Sequence, residues 1–118
     1  MSGGLTTHVL DVSAGKPAAG MKVQLWRLGA APMLLKETST NADGRLERAL
    51  LSEDEMESGV YELIFEAGDY FHSTVGAAIA SELFLDRIPV RFRITDSNSH
   101  YHVPLLVAPG GYSTYRGS

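Results

Sequence analysis

Three histidines, one arginine and a polar tail carry most of the chemistry available to this 118-residue chain. His100 and His102 are separated by one residue inside an apolar run, so on an extended strand both imidazoles share a face. His8 lies in a second strand-like run, and Arg45 directly follows the turn Asn41-Ala42-Asp43-Gly44. The chain closes on Tyr115-Arg116-Gly117-Ser118, where Ser118 offers a hydroxyl and an α-carboxylate. Imidazole titrates near neutral pH and is the usual group for moving a proton to or from water. A guanidinium is a permanently charged planar fork that clamps an anion or the charge developing on a carbonyl oxygen. Taken one at a time, each residue has a plainer reading: His8 as an ordinary strand residue, Arg45 as an exposed turn charge, His100 as a neighbour on the face of His102. The His-x-His pair with His8 also has the spacing of a zinc site, but no nearby carboxylate completes a ligand set. His72 in an aromatic stretch and Trp26 on a strand face read as packing or surface residues.

The elements that must position these groups are strands. Short apolar runs recur at close intervals with turn residues between them, the pattern of a β-sandwich of roughly seven strands. The expected strands cover residues 7–12, 21–28, 34–40, 45–50, 60–66, 88–95, 100–108 and 112–115. Residues 13–17 read as a turn and residues 52–57 as a solvated acidic loop. Residues 75–84, alanine-rich and free of proline, are expected to form the one short helix. Alternation puts Tyr61, Leu63 and Phe65 on one face and Val90, Phe92 and Ile94 inward. Tyr101, Val103, Leu105 and Val107 then form a stripe for the core. His100 and His102 are left on the outer side with Pro104 and Leu106, and His8 lies beside Leu10 and Val12. An outer face this apolar is expected to be partly covered by other subunits. The tail is expected to belong to the fold, because residues 112–115 return as a hairpin strand after the turn Pro109-Gly110-Gly111.

Composition removes several classes of function. Net charge is −4, with 10 basic and 14 acidic side chains intermixed. There is no basic field for nucleic acid or an anionic membrane. Cysteine is absent, which excludes disulfides, thiolate catalysis and cysteine-ligated metals. No apolar run approaches the ~20 residues of a membrane span, and the first residues lack the pattern of a secretory signal. The expectation is one soluble, cytoplasmic domain over residues 1–118.

Three separated segments resemble the 5-hydroxyisourate hydrolases, also called transthyretin-related proteins: Leu5-Thr6-Thr7-His8-Val9-Leu10-Asp11, Asn41-Ala42-Asp43-Gly44-Arg45, and His100 through Ser118. The resemblance implies a transthyretin-like β-sandwich of two antiparallel sheets with one short helix, assembled as a homotetramer, a dimer of dimers. It also implies the reaction: cofactor-free and metal-free hydrolytic opening of 5-hydroxyisourate to 2-oxo-4-hydroxy-4-carboxy-5-ureidoimidazoline, in urate degradation. His8, Arg45, His102 and Ser118 would then be catalytic. His8 and His102 are the candidate bases, Arg45 the clamp, and Ser118 the group that orients a histidine or the attacking water. Tyr115 and Arg116 would join His8, Arg45 and Ser118 in binding substrate. The rival reading is a non-catalytic carrier that holds an aromatic small molecule in the channel between dimers. An apolar-lined channel would favour the carrier, whereas histidines, an arginine and a carboxylate favour the hydrolase.

Overall fold

The computed structural model describes residues 4–75 and 82–117. Among the described residues, eight strands form two four-stranded sheets. The first has the order β2-β1-β7-β8 and contains β1 (Gly4–Asp11), β2 (Lys16–Pro17), β7 (His100–Ala108) and β8 (Gly111–Thr114). The second has the order β4-β3-β5-β6 and contains β3 (Lys22–Leu28), β4 (Met33–Ser39), β5 (Gly59–Glu66) and β6 (Arg87–Ile94). All pairings are antiparallel except one, since β1 runs parallel to β7 from Gly4 opposite His100 to Asp11 opposite Val107. With one α-helix among the described residues, this is the expected two-sheet sandwich. Among the described residues no helix is long and apolar enough to cross a membrane.

Period-two burial sets the layers. Leu5, Val9 and Leu105 of the first sheet and Val23, Leu25, Leu63 and Phe65 of the second are fully buried between the sheets. Tyr101, Val103 and Val107 are buried in the same layer. At about 25 cal/mol per Å² of apolar area, this layer is the main stabilising term of the domain. On the far side of the second sheet, Glu62 faces Arg91 and Glu66 faces Arg87 across the β5–β6 ladder. Both arginines are largely exposed, so these pairs add little stability. Pro89 is accommodated because β6 is an edge strand.

Three local expectations change. The helix α1 spans Ala67–Val75, earlier than the expected segment 75–84, of which residues 76–81 lie outside the described residues. Ala67, Tyr70 and Phe71 are its buried residues, and their i, i+3, i+4 spacing is the helical signal that an aromatic loop reading overlooked. Residues 45–50 form no strand. Leu46, Ala49 and Leu50 do not alternate, and the segment touches β1 only at its ends, through isolated bridges of His8 with Arg45 and Leu5 with Leu51. Finally, Lys16 and Pro17, read as a turn, pair with Asp11 and Leu10 as the two-residue β2.

The helix is tied to the first sheet by a buried carboxylate. Tyr70 donates to Asp11 Oδ2 at 2.7 Å, while Ser13 Oγ and the Ser13 and Ala14 amides donate to Oδ1. Burial pushes the Asp11 carboxyl up, but the hydrogen bonds from Ser13, Tyr70 and Ala14 outweigh it and hold the group below its ordinary range. Stability from a depressed carboxyl is present above the unfolded value of about 3.9 and is lost as pH falls through the folded value. Tyr70→Phe is therefore expected to cost about 1–3 kcal/mol at pH 7 by leaving Oδ2 without its donor. Thermal melts at pH 7 and in acid check this: the variant should lose less stability on acidification than the parent, and an equal loss in both would contradict it.

Candidate active site

The site is built on the outer face of the first sheet, where parallel pairing of β1 with β7 sets Thr6 opposite His102 and His8 opposite Pro104. His8 and His102 are thereby diagonal neighbours on one face, half-buried, with Leu10 and Leu106 beyond them. Arg45 arrives from the other side of β1. Gly44 holds a φ of +75°, its amide donates to Asn41 O, and its carbonyl accepts from Val9 N at 2.8 Å. Asn41 Oδ1 accepts from the amides of both Asp43 and Arg45, which closes the turn by side-chain bonding. The result is the bridge between His8 and Arg45, a residue pair far apart in sequence.

His8 Nε2 lies 2.9 Å from the carbonyl oxygen of Asp43. A carbonyl only accepts, so Nε2 carries the proton, and in the neutral ring Nδ1 holds the lone pair. His102 Nδ1 lies 2.8 Å from Thr6 Oγ1, which leaves Nε2 for a ligand. His100 stacks alongside, its ring 14° from that of His102 with centroids 6.4 Å apart, and its Nε2 is 3.2 Å from the same Thr6 hydroxyl. Burial, followed by the charge of Arg45 and the neighbouring His100 and His8, lowers the affinity of His102 for a proton below that of an ordinary histidine. This favours the neutral imidazole at His102.

Pro104 shapes the tail. It has no N–H to give to the β7–β8 ladder, and pairing that runs from Ala108 with Gly111 to Leu105 with Thr114 stops there. It resumes in the same register at His102 with Gly117, where Gly117 N donates to His102 O at 2.7 Å. A Cβ on Gly117 would sit 2.7 Å from His102 Cδ2, so glycine is what lets the backbone pass this imidazole. Between these points Tyr115 is exposed, and Arg116 turns back so that its guanidinium lies 4.0 Å above the Tyr101 ring and donates to His100 O. Arg116 thus braces β7 and the tail. Ser118 lies outside the described residues.

The structure therefore brings His8, Arg45 and His102 to one face and delivers Gly117 to its edge. A cleft of about 170 Å³ opens beside this face, lined by Thr6, Arg45, Leu46 and Arg48 among others. His72 lies exposed on α1, and the indole N–H of Trp26 donates to Gln24, both away from the site. Among the described residues no three His, Cys, Asp or Glu side chains are placed to hold a metal. Thr6 is the site residue that reading the sequence residue by residue missed. Its signal was period two, since Thr6-x-His8 puts it on the face of His8 just as His100-x-His102 pairs the other two.

Comparison with known proteins finds relatives of this chain. A 5-hydroxyisourate hydrolase of Halalkalibacterium halodurans is 60% identical over the full length of both chains. The solved 5-hydroxyisourate hydrolase of Klebsiella pneumoniae is 39% identical, with a TM-score of 0.82 covering 98% of this chain and 99% of that one. A crystal structure of (S)-allantoin synthase superposes with a TM-score of 0.90 at 45% identity, covering 99% of this chain and 44% of the other. The profile of the HIUase/Transthyretin family matches residues 5–117, and the chain belongs to that family.

Proposed function

We propose that this protein is a 5-hydroxyisourate hydrolase, acting on a ring carbonyl next to nitrogen and producing a ureido-substituted carboxylate. The observation that carries the reading is the meeting of His8, Arg45 and His102 on one sheet face, in a chain 60% identical to a hydrolase of that name. A face presenting two imidazoles and a guanidinium suits a small polar anion better than an apolar hormone. Ring opening by water moves protons and no electrons, so this reading calls on no cofactor.

In this reading an imidazole of the His8–His102 pair takes the proton of the attacking water, worth roughly 10²–10⁴ in rate. Arg45 meets the charge that builds on the carbonyl oxygen. Its guanidinium is exposed, while the turn beneath it is fixed by Asn41 and Gly44, so the charge is free to reach the substrate from a rigid base. In this reading Ser118, which follows Gly117 in sequence, orients a histidine or the water, and Tyr115 would wall the substrate. Arg116 contributes by holding the tail in place.

The single-chain cleft is open, and Leu10 and Leu106, on the same face as the two histidines, are only half-buried. Covering this face with a second copy would enclose the substrate and exclude water. We therefore read the working form as an oligomer of this one domain, with the tetramer as the expected state. The functional test is multiple turnover: 5-hydroxyisourate in large excess over untagged protein should be consumed many times faster than its spontaneous decay, with saturation. A carrier would bind one equivalent and leave the remaining decay at its spontaneous rate.

A further inference from the structure

One hydroxyl joins the two stacked histidines. Thr6 Oγ1 is 2.8 Å from His102 Nδ1 and 3.2 Å from His100 Nε2, and cross-strand register places Thr6 directly opposite His102. A threonine hydroxyl has one proton and two lone pairs, and these two ring nitrogens are its hydrogen-bond partners among the described residues, so with both rings neutral and the hydroxyl proton bonded within the group this three-member chain has two arrangements. In one, His100 Nε2–H donates to Thr6, Thr6 donates to His102 Nδ1, and His102 carries its proton on Nε2. In the other every proton is reversed: His102 Nδ1–H donates to Thr6, Thr6 donates to His100 Nε2, and His100 carries its proton on Nδ1.

A second observation chooses between them. His100 Nδ1 is buried and has no hydrogen-bond partner among the described residues. In the reversed arrangement that atom would be a buried N–H with nothing to donate to, a state that folded proteins rarely tolerate. In the first arrangement it is only a bare ring lone pair. The half-buried surroundings of His102 and the nearby Arg45 charge disfavour a third state, in which His102 is imidazolium.

We propose that Thr6 and His100 are positioning residues that hold His102 as the neutral Nε2–H tautomer, so that His102 is a hydrogen-bond donor to the attacked carbonyl oxygen and His8 is the base. This rests on the hydrolase reading above. His8 fits the complementary role because its Nε2–H is committed to the Asp43 carbonyl, leaving the Nδ1 lone pair to accept a proton. The step balances. An O–H bond of water breaks, its proton goes to His8 Nδ1, and the oxygen bonds to the ring carbonyl carbon. The C=O π pair moves onto oxygen, where His102 Nε2–H and Arg45 meet it. On collapse the carbonyl re-forms, the ring C–N bond breaks, and the proton on His8 goes to the departing nitrogen. His8 returns neutral, and the new carboxylic acid releases its proton to solvent.

The test has two readouts on the full-length protein. With ¹⁵N-labelled histidine, two-bond ¹H–¹⁵N correlations at about pH 8, above the ordinary imidazole pKa, distinguish the neutral tautomers. The expected result is His102 protonated on Nε2 in the parent protein and in Thr6→Ser, with that preference lost in Thr6→Val. In kinetics, Thr6→Val is expected to lower kcat roughly 10- to 100-fold with KM within about twofold, and Thr6→Ser to recover most of kcat. A purely structural role for Thr6 would not be rescued through the hydroxyl. Finding His102 protonated on Nδ1 in the parent protein overturns the proposal, as does a Thr6→Val enzyme with parental kcat. The tautomer readout needs no substrate and no variant, so it decides the proposal even if the protein proves inactive on 5-hydroxyisourate. That inactivity would instead count against the hydrolase reading.

Discussion

His102→Ala is expected to lower kcat for opening of 5-hydroxyisourate by roughly 10²–10³ while KM changes only a few-fold. The magnitude is that of removing one preorganised donor aimed at charge that exists only in the transition state. The structural basis is the degree to which this side chain is held: Nδ1 is fixed by Thr6, the ring is stacked on His100, and the backbone carbonyl is bonded by Gly117 N. A group so constrained pays little reorganisation when the reaction occurs. The fold should survive, since His102 is on the outer face and the core-side neighbours Tyr101 and Val103 are untouched. Steady-state kinetics on the folded variant check the prediction. Unchanged kcat with a raised KM would assign His102 to substrate positioning in the ground state.

Gly44→Ala is expected to destabilise the protein by about 2–4 kcal/mol, lowering Tm by about 10 °C for a chain of this size, and to reduce activity with it. Two independent costs combine. The residue has a φ of +75°, where an L side chain is strained, and an ideal Cβ would lie 2.3 Å from the carbonyl oxygen of Val9. That oxygen is backbone in the middle of β1 and already accepts from Ala18 N, so it has no room to move without disturbing β2. The relief would come from shifting the turn away from β1, which would break the bond from Val9 N to Gly44 O and the bridge that carries Arg45 to His8. Thermal unfolding together with kcat/KM measures both effects. A variant with parental Tm would show that the turn adapts and would weaken the claim that it fixes Arg45.

The elements were legible where alternation was clean. Val23 and Leu25, then Tyr61, Leu63 and Phe65, then Tyr101 through Val107 each repeat every second residue, and the core stripes lie where that period puts them. It failed at residues 45–50, where Leu46 and Leu50, four apart, fit one face of a strand as well as of a helix, while the backbone takes an irregular path along β1. The helix over Ala67–Val75 is hard to read locally because Tyr70 and Phe71 look like β-formers, although their spacing from Ala67 is helical and burial follows that spacing. Of the candidate site, His8, Arg45 and His102 could be named from residue type and motif. Their contacts could not, because the face they share is created by a parallel β1–β7 pairing between residues nearly a hundred positions apart. Thr6 is legible only as a neighbour of His8 on one face: its importance comes from the residue across the strand pair, and no local pattern states which residue that will be.

The most direct test of the central claim is the near-ultraviolet decay of freshly generated 5-hydroxyisourate in the presence of equal concentrations of untagged parent protein and folded Arg45→Ala. The parent should accelerate decay with saturation, and the variant should fall by roughly 10²–10³ in kcat/KM, toward the spontaneous rate. Parental acceleration by Arg45→Ala, or none by the folded parent, would contradict the assignment of chemistry to this sheet face.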